Sequence, residues 1–360
     1  MEQGYLILET GEVFEGTIIG KNQECIGEVV FNTGMTGYQE MMTDPSYSGQ
    51  ILTFCYPLIG NYGINLVDDE SKKVAVSGVI IGDACDKPSH FLAAKSLSAQ
   101  LEQAGISGLT GVDTRSLVQS IRKSGTVKGV ITKNPFYNKE LVQQYESPFW
   151  VEQVSTTELI SYKNDGPHVV LMDYGYKKSI LDALLHENCS VTVVPYHFNF
   201  KQVQELKPDG IVFSNGPGNP MELAGQFEEI KKMTQQYPSL GICLGHQLLA
   251  LAYGARTEKL AYGHRGGNHP VKELLTGKVR MTSQNHSYVV MEDSIDPKEL
   301  IITYRNVNDK TVEGLKHKKY PVQSVQFHPE AHPGPSDTAH IFNEFIQQIS
   351  SVGVVNYAVK

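Results

Sequence analysis

Two short stretches carry the residue types of a nucleophile and its base. In LGICLGHQLLALAYGA, residues 240–255, Cys243 stands between Gly241 and Gly245, directly before an apolar run with helical spacing. A buried cysteine is usually a small hydrophobe. Gly-x-Cys-x-Gly, however, has the form of a nucleophile elbow with sulfur in place of oxygen: the glycines permit a sharp strand-to-helix turn, and the residue after the nucleophile, Leu244, offers its backbone N–H to an oxyanion. A helix N-terminus behind the sulfur also favours thiolate over thiol. The second stretch is SVQFHPE, residues 324–330, where an apolar strand ends in His328-Pro329-Glu330. Residues two apart in extended chain share a side, so Glu330 can orient the His328 ring and leave its other nitrogen to deprotonate Cys243. His246 lies nearer in sequence, but on the first turn of the same helix it points alongside the thiol rather than at it.

Competing uses of these side chains fit less well. His328, His332 and His340 are interrupted by Pro329, Pro333 and Pro335, His264 and His269 sit in a glycine-rich loop, and no cysteine pair completes a zinc set, so no metal is expected. SNGPGNP, at 214–220, lacks the GK[ST] of a phosphate-binding P-loop and the G-x-G-x-x-G of a dinucleotide turn. Its open backbone suits the other half of an oxyanion hole.

Two different textures must position these groups. Residues 1–150 read as a β-rich domain: YLILET and VFEGTIIG flank a turn at Gly11 and Glu12, β-branched and aromatic runs follow between glycines and prolines, and a helix runs from Thr114 to about Lys123 with Asp113 or Thr114 as N-cap. Residues 151–166 read as a connection, closed by the turn NDGP. From 167 to 360 strands alternate with helices: HVVLMDYG, KKSILDALLHENC, SVTVVPY, FKQVQELKP, GIVFSNGPG, MELAGQFEEIKKMTQQYP, SLGICLG, HQLLALAYGA. That alternation implies a mostly parallel sheet flanked by helices, an α/β domain whose ligands sit beyond the carboxyl ends of the strands. SNGPG and GICLG both fall there.

Bulk composition narrows the classes. The 360 residues suffice for two cores, and 40% hydrophobic with 19% charged residues is ordinary for a globular protein. A net charge of −8 argues against a general nucleic-acid surface, and no apolar run reaches the ~20 residues of a membrane helix. No secretory signal pattern opens the chain, and five scattered cysteines without a CxxC pair favour free thiols in a reducing cytoplasm.

Gly-Ile-Cys-Leu-Gly-His-Gln, Ser-Asn-Gly-Pro-Gly and His-Pro-Glu, in this order, resemble the triad-type class I glutamine amidotransferases. FNTGMTGYQEMMTDPSYSGQI, YPLIGNYG, GVDTR, GHRGGNHPV and SQNHSY resemble the small, glutamine-hydrolysing subunit of carbamoyl-phosphate synthetase, and the likeness spans essentially the whole chain. The resemblance implies a class I amidotransferase domain behind a smaller β-rich domain that docks the partner. It implies that Cys243 attacks glutamine, His328 acts as base and then acid, and Glu330 orients His328. It also implies glutamine-binding roles for Ser46, Gln247, the Asn285 side chain and the backbone of Ser287 and Tyr288, with the backbone at Gly216, Gly218 and Leu244 holding the oxyanion. Ser287 stands where the family commonly has glycine, and Tyr176 where a smaller residue is usual.

The implied reaction releases ammonia, then water frees glutamate from a γ-glutamyl thioester; each oxyanion donor would supply ~3–4 kcal/mol. The implied partner is a large synthetase subunit that makes carbamoyl phosphate from bicarbonate, ammonia and ATP, with ATP and magnesium on that subunit and no cofactor in this chain. Arginine and pyrimidine synthesis are both open as destinations. Three alternatives stay in view: the glutaminase of another amidotransferase, a partner-independent cysteine hydrolase of γ-glutamyl compounds, and a silent binding subunit.

Overall fold

A computed structural model describes residues 2–358, with side chains to residue 351. The chain forms two compact units. One runs to Trp150 and takes in Leu260–Gly266; the other holds the rest of the described chain from Val151 on.

The first unit is built on a closed barrel. Its strands follow one another in the order Gln3–Leu8, Val13–Gly20, Ser107–Thr110, Gly78–Ile80, Gln50–Phe54, Cys25–Asn32 and Val127–Thr132, which returns to the first. Three neighbouring pairs, from Cys25–Asn32 across to Ser107–Thr110, are parallel. Leu6, Leu8, Val29, Ile51, Ile80, Leu109 and Ile131 pack together in its interior, and closure leaves no open edge. Helix Thr114–Ser124 is capped as expected by Asp113, whose carboxylate accepts from Ser116 N at 2.9 Å. Leu117 and Ile121, one turn apart, bury its apolar face in the same cluster.

In the second unit the expected alternation yields five parallel strands in the order Ser190–Pro195, His168–Asp173, Gly210–Phe213, Ser239–Ile242 and Val322–Val325. Their short apolar runs are buried because helices cover a parallel sheet on both faces. Helix His340–Ala358 adds Ile341, Phe342, Phe345 and Ile349 to the core. Beyond Val322–Val325 the sheet turns antiparallel through Val312–His317, Leu300–Asn306 and Thr257–Glu273, with Val279–Val290 outermost; Ile160–Tyr162 at the opposite edge brings the sheet to ten strands among the described residues.

Two boundaries differ from the sequence reading. Residues 151–166 are not a free connection: Ile160–Tyr162 pairs antiparallel with Val191–Val193 as the sheet's edge strand, because Ile160 and Tyr162 have apolar side chains to lay on the core. Leu260–Gly266, well inside the second half of the sequence, counts with the first unit. No local pattern marks that excursion.

Candidate active site

Cys243 joins strand Ser239–Ile242 to helix Leu244–Ala252 and is 2% exposed. Its backbone is forced to φ 54°, ψ −104°, a region that non-glycine residues rarely occupy. The flanking glycines explain how the turn can be that tight. A Cβ at Gly245 would lie 2.0 Å from the Phe213 carbonyl oxygen, and one at Gly241 would lie 2.5 Å from Leu249 Cδ1 and 2.7 Å from the Gly245 carbonyl oxygen. Gly245 N–H instead donates to Ser214 O at 3.0 Å, and Cys243 N–H donates to Val325 O at 2.9 Å. The elbow is thereby pinned to the strands on both sides. Every residue of the helix behind it is buried, which holds it against the sheet.

The neighbouring strand brings the base. His328 follows Val322–Val325, its N–H donates to Ser283 O at 2.9 Å, and its Nδ1 lies 2.6 Å from Glu330 Oε1. The His-x-Glu spacing thus places both groups on one side, as the sequence implied. His328 Nε2 is buried with no hydrogen-bond partner. Burial works against a charged ring, but the Glu330 carboxylate and the Cys243 sulfur outweigh it and raise His328 to about 10. An imidazole so placed has the proton affinity a general base needs. His246, by contrast, is fully buried, bonds Ser324 Oγ through Nδ1 at 2.9 Å, and is pushed down to about 3 by burial. It ties the helix to the base-bearing strand and stays neutral.

Lys177 is the member the sequence did not reveal. Its Nζ lies 3.0 Å from Glu330 Oε1 and also donates to the Ala331 carbonyl, with both charged side chains buried. Burial would raise the Glu330 carboxyl, but Lys177 and His328 hold it down at about 2. A lysine just before an apolar helix reads in sequence as a solvated charge. Only the fold shows that its ammonium turns inward to the His-Pro-Glu turn.

The glycine loop packs against the same strand ends. Gly218 has φ 89°, and a Cβ at Gly216 would lie 2.2 Å from Tyr174 O. Ser214 Oγ accepts from Tyr174 N at 3.0 Å, and Asn215 Oδ1 accepts from Lys177 N at 3.0 Å. Leu244 stands at the first helical position, where backbone N–H groups have no acceptor within the helix.

The remaining expected residues divide by unit. Asn285, Ser287 and Tyr288 lie on strand Val279–Val290, and Asn285 O is 3.7 Å from Cys243 Sγ. Gln247 is on the elbow helix; its Nε2 donates to Tyr288 O at 2.8 Å and to Gln326 Oε1 at 3.1 Å, which leaves Oε1 as the end that can meet a ligand. Tyr176 packs on the core beside Ile160 and Tyr162. Ser46 belongs to the first unit, in the 3-10 turn Pro45–Tyr47, where its N–H donates to Asp44 Oδ1 at 2.9 Å.

A cysteine on a strained elbow, a histidine with one buried open nitrogen, and a carboxylate that orients it define a cysteine–histidine–glutamate site on an α/β sheet. Residues 170–348 match the model of the class I glutamine amidotransferases, and residues 6–131 match that of the carbamoyl-phosphate synthase small chain, CPSase domain. The chain is 50% identical over 353 residues to the carbamoyl phosphate synthase arginine-specific small chain of Halalkalibacterium halodurans, covering 98% of each protein. It is 51% identical over 347 residues to the arginine-specific small chain of Bacillus subtilis, covering 96% of this chain and 97% of that one. The pyrimidine-specific small chain of H. halodurans matches at 50% over 350 residues, covering 96% of this chain and 97% of that one. This chain belongs to the carbamoyl-phosphate synthase small chain family. The arginine- and pyrimidine-specific relatives match it equally, so identity does not separate the two pathways.

Proposed function

We infer that this chain is the glutaminase subunit of a carbamoyl-phosphate synthase: it hydrolyses L-glutamine to glutamate and ammonia and delivers the ammonia to a large synthetase subunit. The observation that carries this reading is the buried line Lys177–Glu330–His328 ending in an open Nε2 beside Cys243, in a family member aligned over nearly its full length. In the proposed reaction Cys243 Sγ attacks the side-chain carbonyl carbon of glutamine after its proton passes to His328 Nε2. The tetrahedral oxyanion is met by the Leu244 N–H and the backbone at Gly216 and Gly218. His328 then gives its proton to the leaving nitrogen, the C–N bond breaks, and ammonia departs from a γ-glutamyl thioester. Water, deprotonated by the same histidine, attacks the thioester; the C–S bond breaks and glutamate leaves with the oxygen of that water.

Gln247 Oε1, the Asn285 side chain and the backbone of Ser287 and Tyr288 are the proposed contacts for glutamine, and Ser46 keeps the glutamine-binding role that the family resemblance implies. The β-rich unit, which carries no comparable set of catalytic side chains among its described residues, is the proposed docking surface for the large subunit. ATP and magnesium are assigned to that subunit. Five free cysteines support a reducing compartment, and no described helix is long and apolar enough to cross a membrane.

The deciding experiment measures glutamate release by the purified chain, alone and with the large subunit, beside Cys243→Ser. The expected result is slow hydrolysis that the large subunit accelerates, no hydrolysis in C243S, and carbamoyl phosphate still made by the mutant complex from added ammonia. Continued glutamine hydrolysis by C243S overturns the reading.

A further inference from the structure

The loop that delivers Lys177 to Glu330 needs an anchor of its own, because it leaves the sheet at Asp173 and must turn back within four residues. Asp173 ends strand His168–Asp173 and is 2% exposed. Its carboxylate accepts three backbone N–H groups: Gly175 at 2.8 Å and Tyr176 at 3.0 Å on Oδ1, and Thr156 at 2.7 Å on Oδ2. Burial raises its proton affinity against those three bonds. Gly175, at φ 115°, makes the reversal, and the N–H of Lys177, after that of Tyr176, is held by Asn215 Oδ1. One oxygen of Asp173 therefore shapes the loop immediately before Lys177. The other grips the chain shortly after it enters the second unit from Trp150.

We propose that Asp173 is a positioning residue for glutamine hydrolysis: by fixing the turn 174–176 it aims Lys177 at Glu330, and it tethers the entering segment at Thr156 to that same turn. Asp173 touches neither the thiol nor the imidazole. It acts through Lys177, Glu330 and His328, and so through the orientation of the base. The proposal rests on the glutaminase reading. Its chemistry requires an acceptor on both faces of the side chain, which a carboxylate provides and a carboxamide does not. In Asp173→Asn one face becomes an NH₂ group set against a backbone N–H donor, so either the Thr156 tether or the turn loses its bond with almost no change of shape.

The test is a double-mutant cycle on the full chain with the large subunit: wild type, D173N, Lys177→Met, and both together. For each, kcat and KM for glutamine, thermal stability, and the rate of Cys243 alkylation by iodoacetamide are measured. The expected result is a kcat about tenfold lower in D173N with KM within about threefold of wild type, and alkylation slowed in step with kcat. In the K177M background D173N should cost less than about twofold more, since the residue it acts through is gone. A D173N enzyme with wild-type kcat and alkylation rate overturns the proposal, whatever its melting temperature. So does a double mutant whose loss is the product of the two single losses. If D173N does not fold, Thr156→Pro removes the N–H that Asp173 Oδ2 accepts; a kcat loss of about threefold supports the proposal, and unchanged kcat overturns it. Failure of wild type to release glutamate at all would instead sink the glutaminase reading, which C243S and the wild-type control report separately.

Discussion

The two units place their backbone strain differently. In the barrel unit every described residue with positive φ is a glycine, among them Gly11, Gly37, Gly49 and Gly105. Among the described residues of the other unit six non-glycines take positive φ, and three of them are Cys243, Ala331 and His332, at the elbow and just past the His-Pro-Glu turn. Exposed ion pairs occur in both units, Lys178–Asp182 and Arg256–Asp293 of this one among them, but one pair here is buried. Lys21–Glu102 and Lys133–Glu2 of the barrel unit are exposed by about half, whereas Lys177–Glu330 is buried and bonded on to His328. Strain and desolvated charge both reduce stability, and they persist where packing over-determines them. The difference teaches where the chain departs from relaxed backbone: one unit leaves left-handed positions to glycine, and the other strains its chain at the proposed nucleophile and just past the proposed base.

The sharpest way to break the comparison is to remove what the strain serves. Cys243→Ser should lower glutamine hydrolysis about a thousandfold or more, as loss of a triad nucleophile does, with a melting temperature close to wild type. Hydrolysis at the wild-type rate would make the elbow a structural accident. Next in size is Lys177→Met, which leaves the buried Glu330 carboxylate with His328 as its remaining charge partner. Chemical denaturation should show a loss of ~3–5 kcal/mol, together with a fall in kcat.

Glycine substitutions compare the units directly. Gly245→Ala drives a Cβ to 2.0 Å from Phe213 O and should destabilise the fold by ~3 kcal/mol or more. Gly105→Ala, at φ 72° with no atom within 4 Å of its Cβ, meets only the left-handed penalty of ~1 kcal/mol. Equal losses in denaturation midpoints would erase the contrast.

pH should act on the site in two windows. His328 lies at about 10 against an ordinary 6.5, so its stabilisation is fully present below pH 6.5 and is lost as pH rises through about 10. Glu330 lies at about 2 against 4.5, so its stabilisation is present above pH 4.5 and is lost as pH falls through about 2. The stability advantage of wild type over His328→Asn should therefore shrink above pH 6.5 in pH-dependent denaturation. The smallest effect belongs to Lys21→Ala, which breaks an exposed pair and should shift stability by less than about 0.5 kcal/mol.

The sequence alone determined what is local. Period and length announced the parallel strands and their helices, Asp113 announced its helix, and Gly-Ile-Cys-Leu-Gly and His-Pro-Glu announced a cysteine on an elbow and a histidine held by a carboxylate, because each is written within a few consecutive residues. Resemblance then supplied family, reaction and partner. Tertiary structure decided what depends on residues far apart. Barrel closure joins Gln3–Leu8 to Val127–Thr132, the sheet recruits Ile160–Tyr162 as an edge, and Leu260–Gly266 returns to the first unit. Lys177 and Glu330 meet across 153 positions of chain, and Asp173 gathers Thr156 from 17 residues back. No sequence period encodes such pairings. They arise when parallel strands align their carboxyl ends, so that side chains ordinary in sequence share one buried place where each needs the others' charge.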